Sequence, residues 1–217
     1  MYYFQTDFDL TEKTKSLVKQ KFAKIWNTNF EHDAEYLILR DIFSIPTIGK
    51  ELRSFLKVYN LDLQYAGVNT FVSNTKTYTK TNPHIDILHK KTLLPIKSRF
   101  NIMILGDPND PMLWWKSFTF GNPNHTKHKF TYFGNEYESL GVPGNTIEER
   151  LKYLGQPDII KHNLLTPSAF INTFSAHALE ISPGPRLILS IPIDKHIHQY
   201  CPKSVVNTIP GPTPVSE

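Results

Sequence analysis

Short apolar runs, each closed by a cluster of Gly, Pro, Asn or Asp, limit the folds open to this chain more than any other feature of it. Ser98 to Leu105 (SRFNIMIL) alternates, with Phe100, Ile102 and Ile104 on one face and Arg99, Asn101 and Met103 on the other. Ala66 to Ser73 (AGVNTFVS), Ser168 to Phe174 (SAFINTF) and Arg186 to Ile191 (RLILSI) read as further strands. Sixteen prolines work against a helical bundle, because proline breaks the helical hydrogen-bond ladder. Many short strands joined by turns predict a jelly-roll sandwich or barrel. At 217 residues, a single domain spanning 1–217 can bury a core without disulfides or a structural metal.

The first sixty residues differ in texture and predict two helices. Asp9 and Glu12 have the spacing of a capping box, followed by Leu17, Val18, Phe22, Ile25 and Trp26 at helical intervals. A second helix opens at Thr47 after Pro46, with Ile48, Leu52, Phe55, Leu56 and Tyr59 on one face. Between them AEYLILRDIF reads as a strand. The expected organisation is helical support over 1–60, a β core over 61–200, and an extended tail over 202–217. A polar, turn-rich insertion from about 121 to 161 interrupts the core, with a short helix capped by Thr146 and Glu149 and ended by Gly155. Insertions of that length serve as lids or are tolerated decoration.

The chemistry centres on Asn82-Pro83-His84-Ile85-Asp86. In an extended segment, residues two apart share a face, with Cα atoms roughly 6.5–7 Å apart. A His and an Asp so placed can converge on one ion. Two His and one carboxylate on one face of an octahedron leave three positions open, the donor set of non-haem iron(II) oxygenases. The pair needs a distal third ligand, and His177, after the strand SAFINTF, is the candidate. Nine residues later Arg186 opens an apolar strand, where an arginine is costly to bury without a carboxylate partner. That partner is either a ligand or a protein acid, with Glu180 the nearest in sequence.

His84-Ile85-Asp86, His177 after a long gap and Arg186 beyond it resemble the HxD…H…R pattern of the 2-oxoglutarate/iron(II)-dependent oxygenase superfamily. The resemblance covers roughly Ala66 to Ile193. It implies a mainly β fold with flanking α-helices, built on a double-stranded β-helix (jelly-roll or cupin-like) core. It also implies Fe(II) on His84, Asp86 and His177, 2-oxoglutarate as co-substrate with its distal carboxylate on Arg186, and O2 as oxidant. Many members of the superfamily carry Ser or Thr two residues after the arginine. Here that position, which in those members shares the co-substrate carboxylate, is Ile188; Ser190, two further on and on the same strand face, is the candidate to take over that role. Because Asp86 is present, the resemblance favours hydroxylation over halogenation. Arg99 and Asn101 line the mouth and touch the co-substrate or substrate on one reading; on the other, Arg99 makes an edge salt bridge and Asn101 faces a turn.

Other features weigh against different classes of function. His125 with His128 and His196 with His198 lack a carboxylate at a recognised spacing and read, like His89 and His162, as non-ligands. Trp114 and Trp115 form either a substrate wall or packing. Phosphate loops, nucleophile elbows and paired-cysteine zinc motifs are absent. The net charge of +4 is spread along the chain, which points to a modestly basic enzyme and does not indicate nucleic acid, and a small-molecule or peptide substrate is expected. Cys201 stands alone, so no internal disulfide forms, and no secretory or membrane-spanning segment is visible; a soluble, cytoplasmic protein is expected. Two rival readings share the fold: a cupin-type metalloenzyme that does not use 2-oxoglutarate, and a non-catalytic jelly-roll binding module.

Overall fold

The alternation of Ser98–Leu105, strand β5, separates two surroundings. Phe100, Ile102 and Ile104 join the largest apolar cluster, whereas Met103 packs in a different one. Gly184–Ile193, strand β12, divides the same way: Leu187, Leu189 and Ile191 enter the first cluster and Ile188 the other. The two strands pair antiparallel, so their apolar faces form one surface. The structure, a computed structural model, describes residues 1–26, 35–37, 45–62, 69–75, 77–86, 96–119, 126–132, 135–165 and 167–201.

Helices cover that surface. α1 (Glu12–Trp26) contributes Val18, and α2 (Pro46–Val58) contributes Ile48, Leu52 and Leu56, with Phe55 and Tyr59 partly buried beside them. Pro46 stands at the first position of α2, where its missing N–H costs nothing. At the start of α1, Thr11 rather than Asp9 accepts the Thr14 amide at 3.3 Å. Thr14, fully buried, then donates to Glu51 of α2 at 2.6 Å and so ties the helices together.

The remaining strands are β1 (Tyr3–Thr6), β2 (Glu35–Leu37), β3 (Asn69–Thr75), β4 (Thr79–Lys80), β6 (Met112–Thr119), β7 (Thr126–Tyr132), β8 (Asn135–Gly141), β9 (Ile159–Lys161), β10 (Ser168–Asn172) and β11 (Ser175–Ile181). One sheet has the order β1-β10-β5-β12-β3-β2, the other β4-β11-β6-β9, and all described pairings are antiparallel. From β3 to β6 and again from β9 to β12, successive strands alternate between the sheets, apart from the β7–β8 hairpin. That winding makes the core a double-stranded β-helix, with β1 and β2 extending the larger sheet.

The segment 121–161 is more regular than its composition implies. It holds the β7–β8 hairpin, then α3 (Ile147–Leu154) with the expected Thr146–Glu149 capping box and Gly155 at its end. β9 returns to the smaller sheet beside β6. Leu151 and Leu154 of α3 pack on Leu113, Trp115, Ala176 and Ala178, covering the outer face of that sheet. His89, His125, the part of the expected strand AEYLILRDIF that follows Leu37, and the tail from Pro202 lie outside the described residues.

Leu52 is fully buried where α2 meets the larger sheet. Leu52→Ala is therefore expected to lower the unfolding free energy by about 2–5 kcal/mol in urea titration. A change within about 0.5 kcal/mol, as for surface substitutions, would mean that α2 does not cover this face.

Candidate metal centre

His84 lies just beyond β4, and the HxD segment is stitched to neighbouring main chain. The His84 amide donates to the His177 carbonyl at 3.1 Å, the His177 amide donates back at 3.0 Å, and the Asp86 amide donates to Thr173 at 3.3 Å. His84 and His177 are thus directly opposed, with ring centroids 4.6 Å apart. His177 is the third residue of β11, in mid-strand and not at the strand end its sequence setting implied. The β11–β6 register shifts between Ser175 and Ala176, immediately before it. Such irregularities re-aim side chains beside functional sites.

His84, Asp86 and His177 each bring a ligand atom within 4.8 Å of the others, the only such trio among the described residues. Each imidazole Nδ1 lies against a main-chain carbonyl, His84 against Asn82 at 2.7 Å and His177 against Ser175 at 3.0 Å. Donating Nδ1–H there leaves Nε2 as the electron-pair donor, the usual outer-sphere device of metal-binding histidines. His84 Nε2 lies 3.3 Å from Asp86 Oδ1. The donor set therefore suits a divalent ion of the iron, cobalt or nickel type.

Electrostatics prepare the three groups differently. Burial, then the neighbouring His84, push His177 down to about 4, so its ring is neutral at physiological pH. Burial also disfavours the charged form of His84, but its hydrogen bond and attraction to Asp86 prevail and raise it. For Asp86, burial is outweighed by Arg99 and the histidines, which hold the carboxyl well below the usual range.

Arg99 reaches this centre from β5. Its Nε donates to Asp86 Oδ2, and its Nη1 donates to Ser190 Oγ at 3.3 Å. Ser190 Oγ in turn donates to Asn101 Oδ1 at 2.6 Å. The Arg99 salt bridge is buried between the sheets, not at an edge, and engages a candidate metal ligand, and Asn101 is buried rather than turn-facing.

Arg186 projects into the same inter-sheet space, four residues along β12 from Ser190, or roughly 13 Å at about 3.3 Å per residue. It is 5% exposed, and its Nε lies 3.9 Å from Asp110 Oδ2. The nearby protein acid is thus Asp110, not Glu180, which pairs with Lys80 at 2.6 Å and accepts from Tyr78. Asp110 was invisible to the sequence reading because it is brought there by the β5–β12 pairing, which sets Leu105 opposite Leu187. Gly106 (φ +142°) makes room: a Cβ there would meet Arg186 Cγ at 3.0 Å.

Trp114 and Trp115 are packing residues, fully or almost fully buried on opposite faces of β6. Their indoles donate to the carbonyls of Asn172 at 2.8 Å and Gly155 at 3.1 Å. His196 and His198 stack at 5.4 Å and belong to no such trio among the described residues.

No protein-family model matches the chain, and no curated protein matches its sequence. In structure it is similar to HygX from Streptomyces hygroscopicus with nickel and 2-oxoglutarate bound, at 8% identity and a TM-score of 0.45 over 88% of this chain and 81% of that one. HygX with iron bound gives 8% identity and a TM-score of 0.40 over the same shares. A Pseudomonas putida prolyl-4-hydroxylase gives 7% identity and a TM-score of 0.37 over 88% of this chain and 91% of the other. These are distant likenesses of outline. Among the described residues no helix is long and apolar enough to cross a membrane.

Asp86 and His84 are separable by experiment. Removing Asp86 strands the Arg99 guanidinium in a buried site, so Asp86→Ala is expected to cost about 3–5 kcal/mol in metal-free protein. His84→Ala, at a side chain 31% exposed, is expected to cost less. Both variants should weaken manganese(II) binding by at least the roughly 10–100-fold typical of losing an outer-sphere partner. Calorimetric titration after chelation measures this, and wild-type affinity in either variant would remove that residue from the ligand set.

Proposed function

We propose that the protein is an Fe(II)- and 2-oxoglutarate-dependent oxygenase that hydroxylates a C–H bond of a small-molecule or peptide substrate. The observation that carries this reading is the convergence of His84, Asp86 and His177 within 4.8 Å, with both imidazole Nδ1 atoms against main-chain carbonyls. Two imidazoles and a carboxylate on one face leave three positions for other ligands. Iron(II) with 2-oxoglutarate supplies oxidation of a C–H bond by O2, converting 2-oxoglutarate to succinate and carbon dioxide.

The chain's own residues do the rest. His84 and His177 offer Nε2, and Asp86 offers Oδ1. Arg186, on the inter-sheet face of β12, receives the distal carboxylate of 2-oxoglutarate through the planar fork of its guanidinium. Asp110 stands 3.9 Å from the Nε side of that fork as a countercharge, and Gly106 keeps the space beside it clear. Burial of His177 and Arg186 excludes bulk water, which strengthens the charge interactions of any anion bound there.

One observation favours a second reading, a cupin-type metalloenzyme that uses no 2-oxoglutarate. Asp110 beside Arg186 supplies a protein countercharge, so burying the arginine does not by itself demand a ligand. Succinate release distinguishes the two, because uncoupled turnover needs no identified substrate. With iron(II), ascorbate and 2-oxoglutarate, wild-type protein is expected to release succinate. Arg186→Leu is expected to raise the 2-oxoglutarate requirement more than tenfold, as loss of a buried charged hydrogen bond costs roughly 2–5 kcal/mol. A metallated wild type that releases no succinate even with substrate mixtures would favour the cupin reading. Unaltered 2-oxoglutarate dependence in Arg186→Leu would assign the carboxylate to another residue.

A further inference from the structure

Arg99 reaches a candidate metal ligand from the middle of the larger sheet. Its Nε engages Oδ2 of Asp86, while Oδ1 of the same carboxylate faces His84 Nε2 at 3.3 Å. The two oxygens therefore have different partners. Arg99 cannot drift away, because Ser190 Oγ accepts from its Nη1 at 3.3 Å and itself donates to Asn101 Oδ1 at 2.6 Å. Ser190 and Asn101 are register partners on adjacent strands, in the continuous run of pairs that follows the register shift between Leu187 and Ile188. Arg99, Asn101 and Ser190 are all buried, at 6%, 7% and 0% exposure.

We propose that Arg99 is a positioning residue for the metal carboxylate, holding Asp86 Oδ2 so that only Oδ1 serves as a ligand. The proposal rests on the metal-centre reading above and assigns Arg99 to the protein's own carboxylate in place of the co-substrate. A carboxylate ligated through one oxygen spends one coordination position, whereas a chelating one spends two and leaves a place fewer for exchangeable ligands. The pairing also cancels charge: the negative Asp86 and positive Arg99 sum to zero. A divalent ion at the centre then presents its full double charge to an anionic ligand. Ser190 and Asn101 have the outer role of fixing the guanidinium plane, which a flexible ammonium would not require.

Cobalt(II) alone is the probe, since this donor set accepts it and its visible spectrum reports coordination number. Arg99→Gln is expected to change the visible band and weaken cobalt binding roughly 10–100-fold. Arg99→Lys, which keeps the charge without the fork, should recover part of the affinity. Ser190→Ala and Asn101→Ala retain the guanidinium but remove its support, and should shift both readouts the same way by less. They decide the matter if Arg99→Gln does not fold, as judged by circular dichroism. Folded variants that bind cobalt with the wild-type spectrum and affinity would overturn this proposal alone. A wild-type protein that binds no cobalt would overturn the metal centre and this proposal with it.

Discussion

The central strands β5 and β12 must meet two incompatible surroundings at once. One face packs against helices and tolerates only apolar side chains: Phe100, Ile102, Leu187, Leu189 and Ile191 are each at most 1% exposed. The other face lines the space between the sheets and carries Arg99, Asn101, Arg186 and Ser190, all buried. Because side chains alternate strictly along a strand, a one-residue slip would exchange the two sets. Two guanidinium groups would then face the helices, at a cost no other contact in the fold could offset. Register, helix packing and the polar interior are consequently one constraint seen from different sides.

Two buried cations in one interior need two anions, and the fold supplies Asp86 for Arg99 and Asp110 for Arg186. The two contacts differ in kind. Asp86 makes a direct hydrogen bond from a segment held by main-chain bonds to His177 and Thr173. Asp110 stands 3.9 Å from Arg186 and is itself anchored by the Ser182 amide at 2.9 Å. The first pair is a fixture of the candidate metal centre. The second is looser, as suits a guanidinium whose proposed partner comes and goes.

Strands with strong alternation or β-branched content were legible in the sequence. SRFNIMIL forms β5 over its full length, RLILSI lies within β12, and Ile48, Leu52 and Leu56 form the buried face of α2 as their spacing implied. β11 was not legible, because its outward positions are Ala176 and Ala178, poor strand formers that allow close packing against Trp115. β9 is three residues long and takes its identity from β6. The trio His84, Asp86 and His177 was readable because the His-x-Asp spacing calls for a distant third ligand and His177 stood at a suitable place to supply it. The companions of Arg99 and Arg186 were not, since they depend on which strands lie side by side.

The alternating course of strands between the sheets has a consequence for when the centre comes into being. His84 and Asp86 lie early in the β core, while His177 and Arg186 belong to the last two strands. β12 closes the larger sheet by pairing with both β3 and β5, so Asn69 meets Ser190 only after almost the whole core has been laid down. Contacts so distant in sequence carry a large loop-closure entropy and form late in folding. A growing or partly folded chain therefore displays the His84–Asp86 pair without its third ligand. Tight capture of an ion at the candidate centre would be deferred until β11 and β12 have each joined their sheets, and the ion would then act as a latch on a finished fold rather than a nucleus for a wrong one.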